Sequence, residues 1–475
     1  MNLSHQLRHP VFQTISEQAV KLNEKAYVIG GFVRDLLLER GDKDIDIVCE
    51  GSGSSLAEAV ATALGVEKVT VFKNFKTAMF RYQGYEIEFV GARKESYRAH
   101  SRKPIVEDGT LEEDQQRRDF TINALAISLN PGDFGEVVDP FGGLQDLEKK
   151  LLKTPLNPDI TFSDDPLRMM RGVRFASELG FRIDSKALKA IRRNSPRLEI
   201  VSGERISTEF NRILLSPKPS LGLNLLFETR LLDQFLPELV KLHGVEVKNG
   251  IAHKDNFYHT LQVVDNVSDE SNNLWLRWAA LLHDIAKPET KRFFEGAGWT
   301  FHGHEDRGAL MVPKIFKRLK LPLDHKMKYV QKLVLLHLRP IALTKEEATD
   351  SALRRLLFEA GDDLDDLMTL CKADITSKNE AKVKRYLENY ERVKKRLVEV
   401  EEKDRIRNWQ PPIDGKEIIE TFQLKPGPEI GQIKNAIKDA ILDGDIPNDY
   451  DAAYRFMVAY AEKLNLQIPS KKNQG

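Results

Sequence analysis

The chain has 475 residues, which is enough for about three domains of ordinary size. Hydrophobic residues make up 41% and charged residues 30%, a composition typical of a helix-rich globular protein. Lys plus Arg and Asp plus Glu balance at 72 each, so any binding of a polyanion must depend on local basic patches and not on net charge.

Cysteine content and apolar runs exclude further classes of protein. Cys49 and Cys371 are too few and too far apart for a disulfide framework or a paired metal motif. No secretory signal pattern opens the chain, and no apolar run is long enough to span a bilayer. We expect a cytoplasmic protein without a membrane segment, and the sequence gives no sign of an obligate protein partner.

The first informative segment, residues 27–48, predicts a strand, a glycine turn, a helix and a second strand. Gly30 and Gly31 remove side chains where the helix begins, so backbone N–H groups and the positive helix end can approach an anion such as a triphosphate. Arg34 follows one turn into the helix.

Asp44 and Asp46 lie two residues apart on the second predicted strand, so they point to the same face of a sheet. Two carboxylates in that position repel each other unless a cation joins them. Oxygen ligands suit Mg²⁺, and a site with two such ions can hold both the attacking and the leaving oxygen of a phosphoryl displacement. The pair therefore predicts a magnesium site.

The order of these parts closely resembles the head-domain signature of the DNA polymerase β-like superfamily. The strings GGFVRDLLL and KDID resemble its branch of class II tRNA nucleotidyltransferases and bacterial poly(A) polymerases. The resemblance implies catalytic, Mg²⁺-binding roles for Asp44 and Asp46, and nucleotide-binding roles for Gly31 and Arg34. Strand patterns at 69–72, 77–82 and 85–90 complete a small mixed sheet with flanking helices.

Residues 93–113 turn polar and are longer than an ordinary connection, so we expect a loop there. The resemblance implies a flexible loop at this place in enzymes that add the full CCA triplet, and a shorter one in relatives that add only A. The next string, RRDFTINA at 117–124, resembles the second motif of the family. By that match Arg118 contacts the sugar or phosphates of the nucleotide, with Asn123 in support.

The string DDPLRMMRGVRF, residues 164–175, bears on substrate choice. Asp165 is a good N-cap and Pro166 a good first helical residue, and Arg168, Arg171 and Arg174 follow as a basic stripe. A cytosine or adenine shows an amino donor beside a ring-nitrogen acceptor, and one carboxylate with one guanidinium completes both bonds. Uracil and guanine reverse that order, which leaves buried polar groups unpaired at a cost of about 1–3 kcal/mol each.

The family resemblance assigns base selection to an acidic-Asp-x-x-Arg motif, which Asp165 and Arg168 match here. Asp164 stands where the family usually has Glu, outside the expected base contact. The same match implies that Arg171 and Arg174 meet the triphosphate.

The histidines predict a second, metal-binding centre, because eight of the eleven histidines of the chain fall between His243 and His337. The ordered set resembles the HD phosphohydrolase family, and it comprises His259, His283, Asp284, His304, His337 and Asp374. Imidazole and carboxylate ligands suit a divalent transition metal or Mg²⁺. The sequence leaves the choice between His302 and His304 open. Resemblance to HD-containing CCA-adding enzymes implies a phosphodiesterase or phosphatase in tRNA 3′-end repair.

We expect an α+β nucleotidyltransferase head with a mixed sheet, followed by all-α neck, HD and tail domains. The expected divisions are a head at 1–147, a neck and body with the base-selecting motif at 148–240, an HD domain at 241–380 and a tRNA-binding body and tail at 381–475. The string LKPGPEIG at 424–431 resembles the family's tail segment.

The predicted function is template-independent addition of CCA to the 3′ end of tRNA from CTP and ATP, with release of pyrophosphate. One alternative is a poly(A) polymerase or a partial enzyme that adds only C or only A. Another is an HD phosphohydrolase whose head merely binds a nucleotide.

Overall fold

The computed structural model describes residues 1–41, 43–72, 77–96, 105–345, 348–376, 379–404, 406–407 and 409–468. They divide into two compact units, the first formed by 1–240 with 318–321 and the second by 241–317 with 322–475. We describe each unit by itself.

The first unit begins with a mixed seven-stranded sheet and five helices. Its strands are β1 Ala26–Ile29, β2 Asp44–Cys49, β3 Thr70–Phe72, β4 Thr77–Tyr82, β5 Tyr85–Gly91, β8 Ala126–Ser128 and β9 Val137–Val138, with β6 Arg93–Ser96 and β7 Ile105–Asp108 forming a separate ribbon. Its helices are α1 Pro10–Lys21, α2 Gly31–Leu37, α3 Gly53–Leu64, α4 Leu111–Gln116 and α5 Gly143–Glu148.

The sheet has the order β3-β4-β5-β2-β1-β8-β9, and among the residues that the structure describes its only parallel pair is β2 with β5. Alternation in β2 buries Ile45 and Ile47 in the core and turns Asp44 and Asp46 to the other face. The β4–β5 hairpin turns at Gln83 and Gly84, both with positive φ, as the turn residues predict. The sheet therefore holds the carboxylates on a rigid, buried strand.

The loop expected at 93–113 is wrong in part. Arg93–Ser96 and Ile105–Asp108 pair as antiparallel strands, and helix α4 begins at Leu111. Thr110 and Glu113 form a capping box at the start of that helix, a signal that lies in the sequence itself. Residues 97–104, at the centre of the expected loop, lie outside the described residues.

Helices make up most of the remainder of the first unit. They are α6 Pro158–Asp164, α7 Leu167–Leu179, α8 Ser185–Asn194, α9 Gly203–Leu214, α10 Pro219–Glu228, α11 Leu232–Phe235 and α12 Pro237–Val240, with a small parallel ribbon of β10 Leu151–Leu152 and β11 Arg182–Ile183. Helix α7 packs against α9 and buries Met170, Val173 and Phe175, while α9 buries Phe210 and Ile213. The predicted basic stripe therefore lies on a helix that is fixed by a buried apolar face.

The second unit is helical with two short ribbons. Its helices are α13 Asn256–Glu270, α14 Leu274–Leu282, α15 Lys287–Thr290, α16 His304–Arg318, α17 His325–Leu336, α18 Leu338–Lys345, α19 Asp350–Ala360, α20 Leu364–Asp374, α21 Glu380–Asp404, α22 Gly415–Phe422, α23 Pro428–Asp443 and α24 Tyr450–Lys463. Its ribbons pair β12 Val247–Lys248 with β13 Ile251–Ala252, and β14 Arg292–Phe294 with β15 Gly298–Thr300. Helices α22 to α24 enclose a core of their own, which includes Ile418, Ile433 and Met457.

The predicted fold class, a mixed-sheet head followed by helices, is confirmed. The three short ribbons in the helical part were not predicted, because strands of two or three residues carry too little alternation to detect. Among the described residues, no helix has both the length and the apolar composition that crossing a bilayer requires. The division into four domains stays a prediction.

Candidate functional site

Gly30 brings the first catalytic candidates together. It precedes α2 with a φ of 83°, a conformation that side chains disfavour. A Cβ added there would lie 2.9 Å from Nη1 of Arg118 and 3.2 Å from Oδ2 of Asp46. The absence of a side chain at this turn therefore lets a carboxylate and a guanidinium approach the start of α2.

Four carboxylates lie on two neighbouring strands of the sheet. Asp44 and Asp46 pair in parallel register with Glu86 and Glu88 of β5, so all four side chains lie on one face. Burial, and then the negative charge of Asp46, raises the pKa of Glu88. Carboxylate oxygens on adjacent strands form a donor set that suits Mg²⁺. Glu88 was missed because the parallel pairing of β2 with β5 is not visible in the sequence.

A hydrogen-bonded chain connects α2 to α7. Nη1 of Arg34 donates to Oδ1 of Asn123 at 2.8 Å, Nδ2 of Asn123 donates to Oδ1 of Asp119 at 3.0 Å, and Nε of Arg171 donates to Oδ2 of Asp119 at 2.6 Å. Burial opposes ionisation of Asp119, but the Arg171 guanidinium outweighs it and lowers the pKa to about 2. Asp119, which the sequence analysis did not single out, therefore fixes the position of a predicted phosphate ligand.

The arginines differ in their freedom to meet a ligand. Arg174 is only 2% exposed, and its guanidinium pairs with Glu209 at 2.5 Å and with Glu178 at 2.9 Å. Arg171 has a side chain that is 37% exposed. Both guanidinium groups, with that of Arg34, lie against the Phe175 ring at 4.1–5.3 Å from its centroid. The aromatic ring thus helps to hold three cations close together.

Asp165 and Arg168, the expected base-selecting pair, lie at the break between α6 and α7. Asp165 has an extended backbone, and its Oδ1 accepts the N–H of Leu167 at 3.2 Å. Pro166 already has helical backbone angles before Leu167, and the bond from the N–H two residues after Asp165 is the N-cap contact that the sequence predicts. Nη1 of Arg168 donates to the carbonyl of Thr161 at 3.3 Å.

One cleft of about 600 Å³ is lined by every site residue predicted for the head and the neck. These nine residues are Gly31, Arg34, Asp44, Asp46, Arg118, Asp165, Arg168, Arg171 and Arg174. Further cations that the sequence analysis missed also line it, namely Arg40, Arg117, Arg205 and Arg212. The last two share one face of α9 at a spacing of seven residues, a signal too common to mark a site by itself.

The six residues of the predicted HD centre also come together, inside the second unit. Two groups of possible metal ligands overlap at Asp284, one with His259 and His283 and the other with His304 and His337. Asp374 lies 2.8 Å from Nε2 of His259. The structure places buried His304 in this cluster, whereas His302 is exposed.

Hydrogen bonds orient three of the four imidazoles in the same way. Nδ1 of His283, His304 and His337 each lies 2.7 Å from a backbone carbonyl oxygen three residues earlier. A carbonyl only accepts, so Nδ1 carries a hydrogen in all three rings, and Nε2, which faces the cluster, is the atom that has a lone pair when the ring is neutral. Nε2 of His304 and Nε2 of His337 are only 3.2 Å apart. Two facing lone pairs at that distance are the arrangement that a shared cation stabilises.

The ionisation of this cluster also suits a cation. Burial disfavours the charged form of His283, but Asp284 and Asp374 outweigh it and raise its pKa to about 10. Burial, together with the charge of His283, lowers the pKa of His337 to about 3. The carboxylates thus already attract one proton, which a bound divalent metal would displace. Nitrogen and oxygen donors in this mixture fit a divalent transition metal.

Two lysines border the cluster. Nζ of Lys287 lies 2.6 Å from Oδ2 of Asp284. Nζ of Lys254 donates to Oγ1 of Thr376 at 2.5 Å and lies 3.0 Å from Nδ1 of His259. Because an ammonium group only donates, Nδ1 of His259 accepts and its Nε2 carries the hydrogen that faces Asp374.

Comparisons with known proteins match both parts of the chain in which the two centres lie. Residues 26–153 match the family described as the poly A polymerase head domain, 180–242 match the probable RNA and SrmB-binding site of polymerase A, and 256–378 match the HD domain. A CCA-adding enzyme from Bacillus stearothermophilus, solved with CTP, has the same fold with a TM-score of 0.65 at 24% identity, covering 96% of this chain and 99% of that one.

The assignment of this chain to a family rests on two relatives. The A-adding tRNA nucleotidyltransferase of Deinococcus radiodurans is 32% identical over 74% of this chain and 80% of its own length. The CCA-adding enzyme of Streptococcus pyogenes serotype M3 is 30% identical over 94% of this chain and 95% of its own. The chain therefore belongs to the family of tRNA nucleotidyltransferases that contains these A-adding and CCA-adding enzymes.

Proposed function

We propose that this protein adds C, C and A to the 3′ end of tRNA, using CTP and ATP and no nucleic-acid template. The observation that carries the proposal is the single cleft that contains Asp44 and Asp46 together with Asp165 and Arg168. A pair of carboxylates for phosphoryl transfer and a pair of side chains for base selection are there within reach of one nucleotide. The name of the Streptococcus pyogenes relative, a CCA-adding enzyme, supports the same reaction, whereas that of the Deinococcus radiodurans relative, an A-adding enzyme, matches the partial alternative.

The residues of the cleft have different roles, which follow from the chemistry of their side chains. The start of α2 at Gly31, with Arg34, Arg118 and Arg171, offers positive charge for the triphosphate. Asp165 accepts from the amino group of cytosine or adenine, and Arg168 donates to the adjacent ring nitrogen. Arg174, whose guanidinium is already paired with two carboxylates, supports the triphosphate site mainly by positioning Phe175 and its neighbours.

Asp44 and Asp46, with Glu88 beside them, are the residues that would hold Mg²⁺ in the head. Such ions supply activation of the attacking hydroxyl group and neutralise charge on the leaving pyrophosphate. The carboxylates themselves bind and orient the ions, and both Asp46 and Arg118 lie beside Gly30 at the phosphate-binding turn. We also keep the prediction that the protein is cytoplasmic within this proposal.

Gel-resolved extension tests the proposal directly. tRNA transcripts that end before CCA, before CA and before A are incubated with CTP, ATP, both, or UTP with GTP. We expect three added nucleotides on the shortest transcript with CTP and ATP together, and no growth with UTP and GTP. Growth by A alone, or an open-ended ladder, would assign the protein to A addition or to poly(A) synthesis instead.

A second activity, hydrolysis of phosphoesters at the HD centre, is favoured by the two overlapping ligand groups. His259, His283, Asp284, His304, His337 and Asp374 would hold one or two divalent metals, which supply a metal-activated water for phosphoester hydrolysis. Lys254 and Lys287 place positive charge at the border of the cluster, which suits a negatively charged phosphoester. The matching substrates are 2′,3′-cyclic or terminal phosphates at RNA ends.

A measurement of bound metal distinguishes a metal centre from histidines that only pack in the core. We expect the protein to bind Mn²⁺ or Ni²⁺ at the HD centre, and His337→Ala to bind at least one equivalent less, by equilibrium dialysis with elemental analysis. His302→Ala is the matched control, since His302 is exposed outside the cluster. Equal metal content in wild type and His337→Ala would overturn the assignment.

A further inference from the structure

Helix α9 contacts the candidate base-selecting residue from the side of the cleft. Nη2 of Arg205 donates to Oδ2 of Asp165 at 3.3 Å. The other oxygen, Oδ1, is already occupied by the N–H of Leu167. Both oxygens of the carboxylate are therefore held, one by the start of its own helix and one by a neighbouring helix.

This arrangement defines the direction in which Asp165 can accept a third hydrogen bond. A carboxylate has about four lone-pair positions, so two remain after these contacts. With both oxygens anchored, rotation about the Cβ–Cγ bond is restricted, and the remaining lone pairs have fixed directions. Arg168 is anchored too, by the carbonyl of Thr161. The pair is thus arranged before a nucleotide enters.

Among the described residues, two further ion pairs join α9 to α7, and neither involves Asp165. Glu209 binds Arg174, and Arg212 binds Glu178. Arg205 alone among these three α9 residues contacts the residue expected to read the base.

We propose that Arg205 is a specificity-determining positioning residue, which orients the Asp165 carboxylate toward the amino group of cytosine or adenine. This inference rests on the proposed function. Arg205 acts through Asp165 and does not itself contact the base. Its loss frees the carboxylate to turn, so CTP and ATP lose a directed hydrogen bond while the repulsion of a uracil or guanine carbonyl is relieved.

The pair of Arg205 and Asp165 contributes to the selection of the nucleotide and not to folding. The side chains of Arg205 and Asp165 are 43% and 26% exposed, and exposed ion pairs contribute little to stability because water screens them. A bound base excludes water from the cleft, and the same pair then interacts more strongly. Arg205→Ala is therefore expected to fold normally and to misread nucleotides.

The test compares single-nucleotide addition by wild type, Arg205→Ala and Arg205→Lys on a tRNA that ends before CCA. We expect Arg205→Ala to lower the ratio of kcat/KM for CTP to that for UTP at least tenfold, with an unchanged thermal midpoint. Arg205→Lys restores part of the ratio, because an ammonium group can still donate to Oδ2. Arg193→Ala, which removes an exposed pair with Asp159 outside the cleft, should leave the ratio unchanged.

A double-mutant cycle tests whether Arg205 acts on nucleotide selection through Asp165. In an Asp165→Ala background, Arg205→Ala should change the ratio no further. The inference would be overturned if Arg205→Ala left the ratio of kcat/KM for CTP to that for UTP unchanged, or if it changed this ratio equally with and without Asp165. In either case, addition of C and A by the wild type would still support the proposed function. Failure of the wild type to add either nucleotide would instead overturn the proposed function.

Discussion

At the scale of single residues, Asp119 shows what spacing alone could not predict. Asp44 and Asp46 were found because their separation of two places them on one face of any strand. Asp119 and Glu88 depend on partners far along the chain, Arg171 for the first and the β2 pairing for the second. No local pattern contains those contacts, so a single sequence does not reveal them.

Substituting Asp119→Asn tests the buried pair. Removing the charge leaves Arg171 with an uncompensated positive charge, and we expect the free energy of unfolding of the head to fall by about 3 kcal/mol at pH 7. The folded pKa of Asp119 is lowered from 3.8 to about 2, so its stabilisation is present above pH 3.8 and is lost as pH falls toward 2. Calorimetric unfolding of both proteins at pH 7 and near pH 3 measures the difference.

The matched control for this prediction is Asp159→Asn. Asp159 also pairs with an arginine, Arg193, but both side chains are about half exposed. We expect that variant to unfold close to the wild type at both pH values. A gap between Asp119→Asn and wild type that stayed constant from pH 7 to near pH 3 would contradict the assignment.

At the scale of elements, helices and strands with strong apolar periodicity were predicted well, and the connections were not. The β4–β5 hairpin and the strand–turn–helix at Gly30 follow local signals. The ribbon of β6 and β7 lies in polar sequence, where hydrophobic alternation is absent, so it was expected to be a loop. Backbone pairing there depends on contact between distant residues and not on residue type.

Replacing Gly30 tests the turn that precedes α2. Gly30→Ala would suffer both a positive φ and collision with Arg118 and Asp46, so we expect nucleotide addition to fall by on the order of 10²-fold. Gly84→Ala has nearly the same φ, 85°, and no atom of the described residues lies within 4 Å of the added Cβ. That control also places a side chain at a positive φ, at a backbone cost of about 1–2 kcal/mol, and should retain activity. Equal loss in both variants would show that strain, and not the approach to Asp46, explains the defect.

At the scale of the whole molecule, two chemically distinct centres lie in two separate compact units. The head cleft presents carboxylates and arginines, which suit a nucleoside triphosphate. The HD cluster presents four imidazoles and two carboxylates, which suit a transition metal. The sequence predicted both centres from ordered motifs, whereas the boundary between the units depends on packing that a motif does not describe.

The most direct test of the account compares Asp46→Ala and His283→Ala in two assays, CCA addition to tRNA and hydrolysis of a 2′,3′-cyclic nucleotide with Mn²⁺. Thermal midpoints confirm that both variants are folded. We expect Asp46→Ala to lose nucleotide addition and to keep any hydrolysis, and His283→Ala to do the reverse. Undiminished addition by Asp46→Ala would contradict the central claim that the head cleft is the nucleotidyltransferase site.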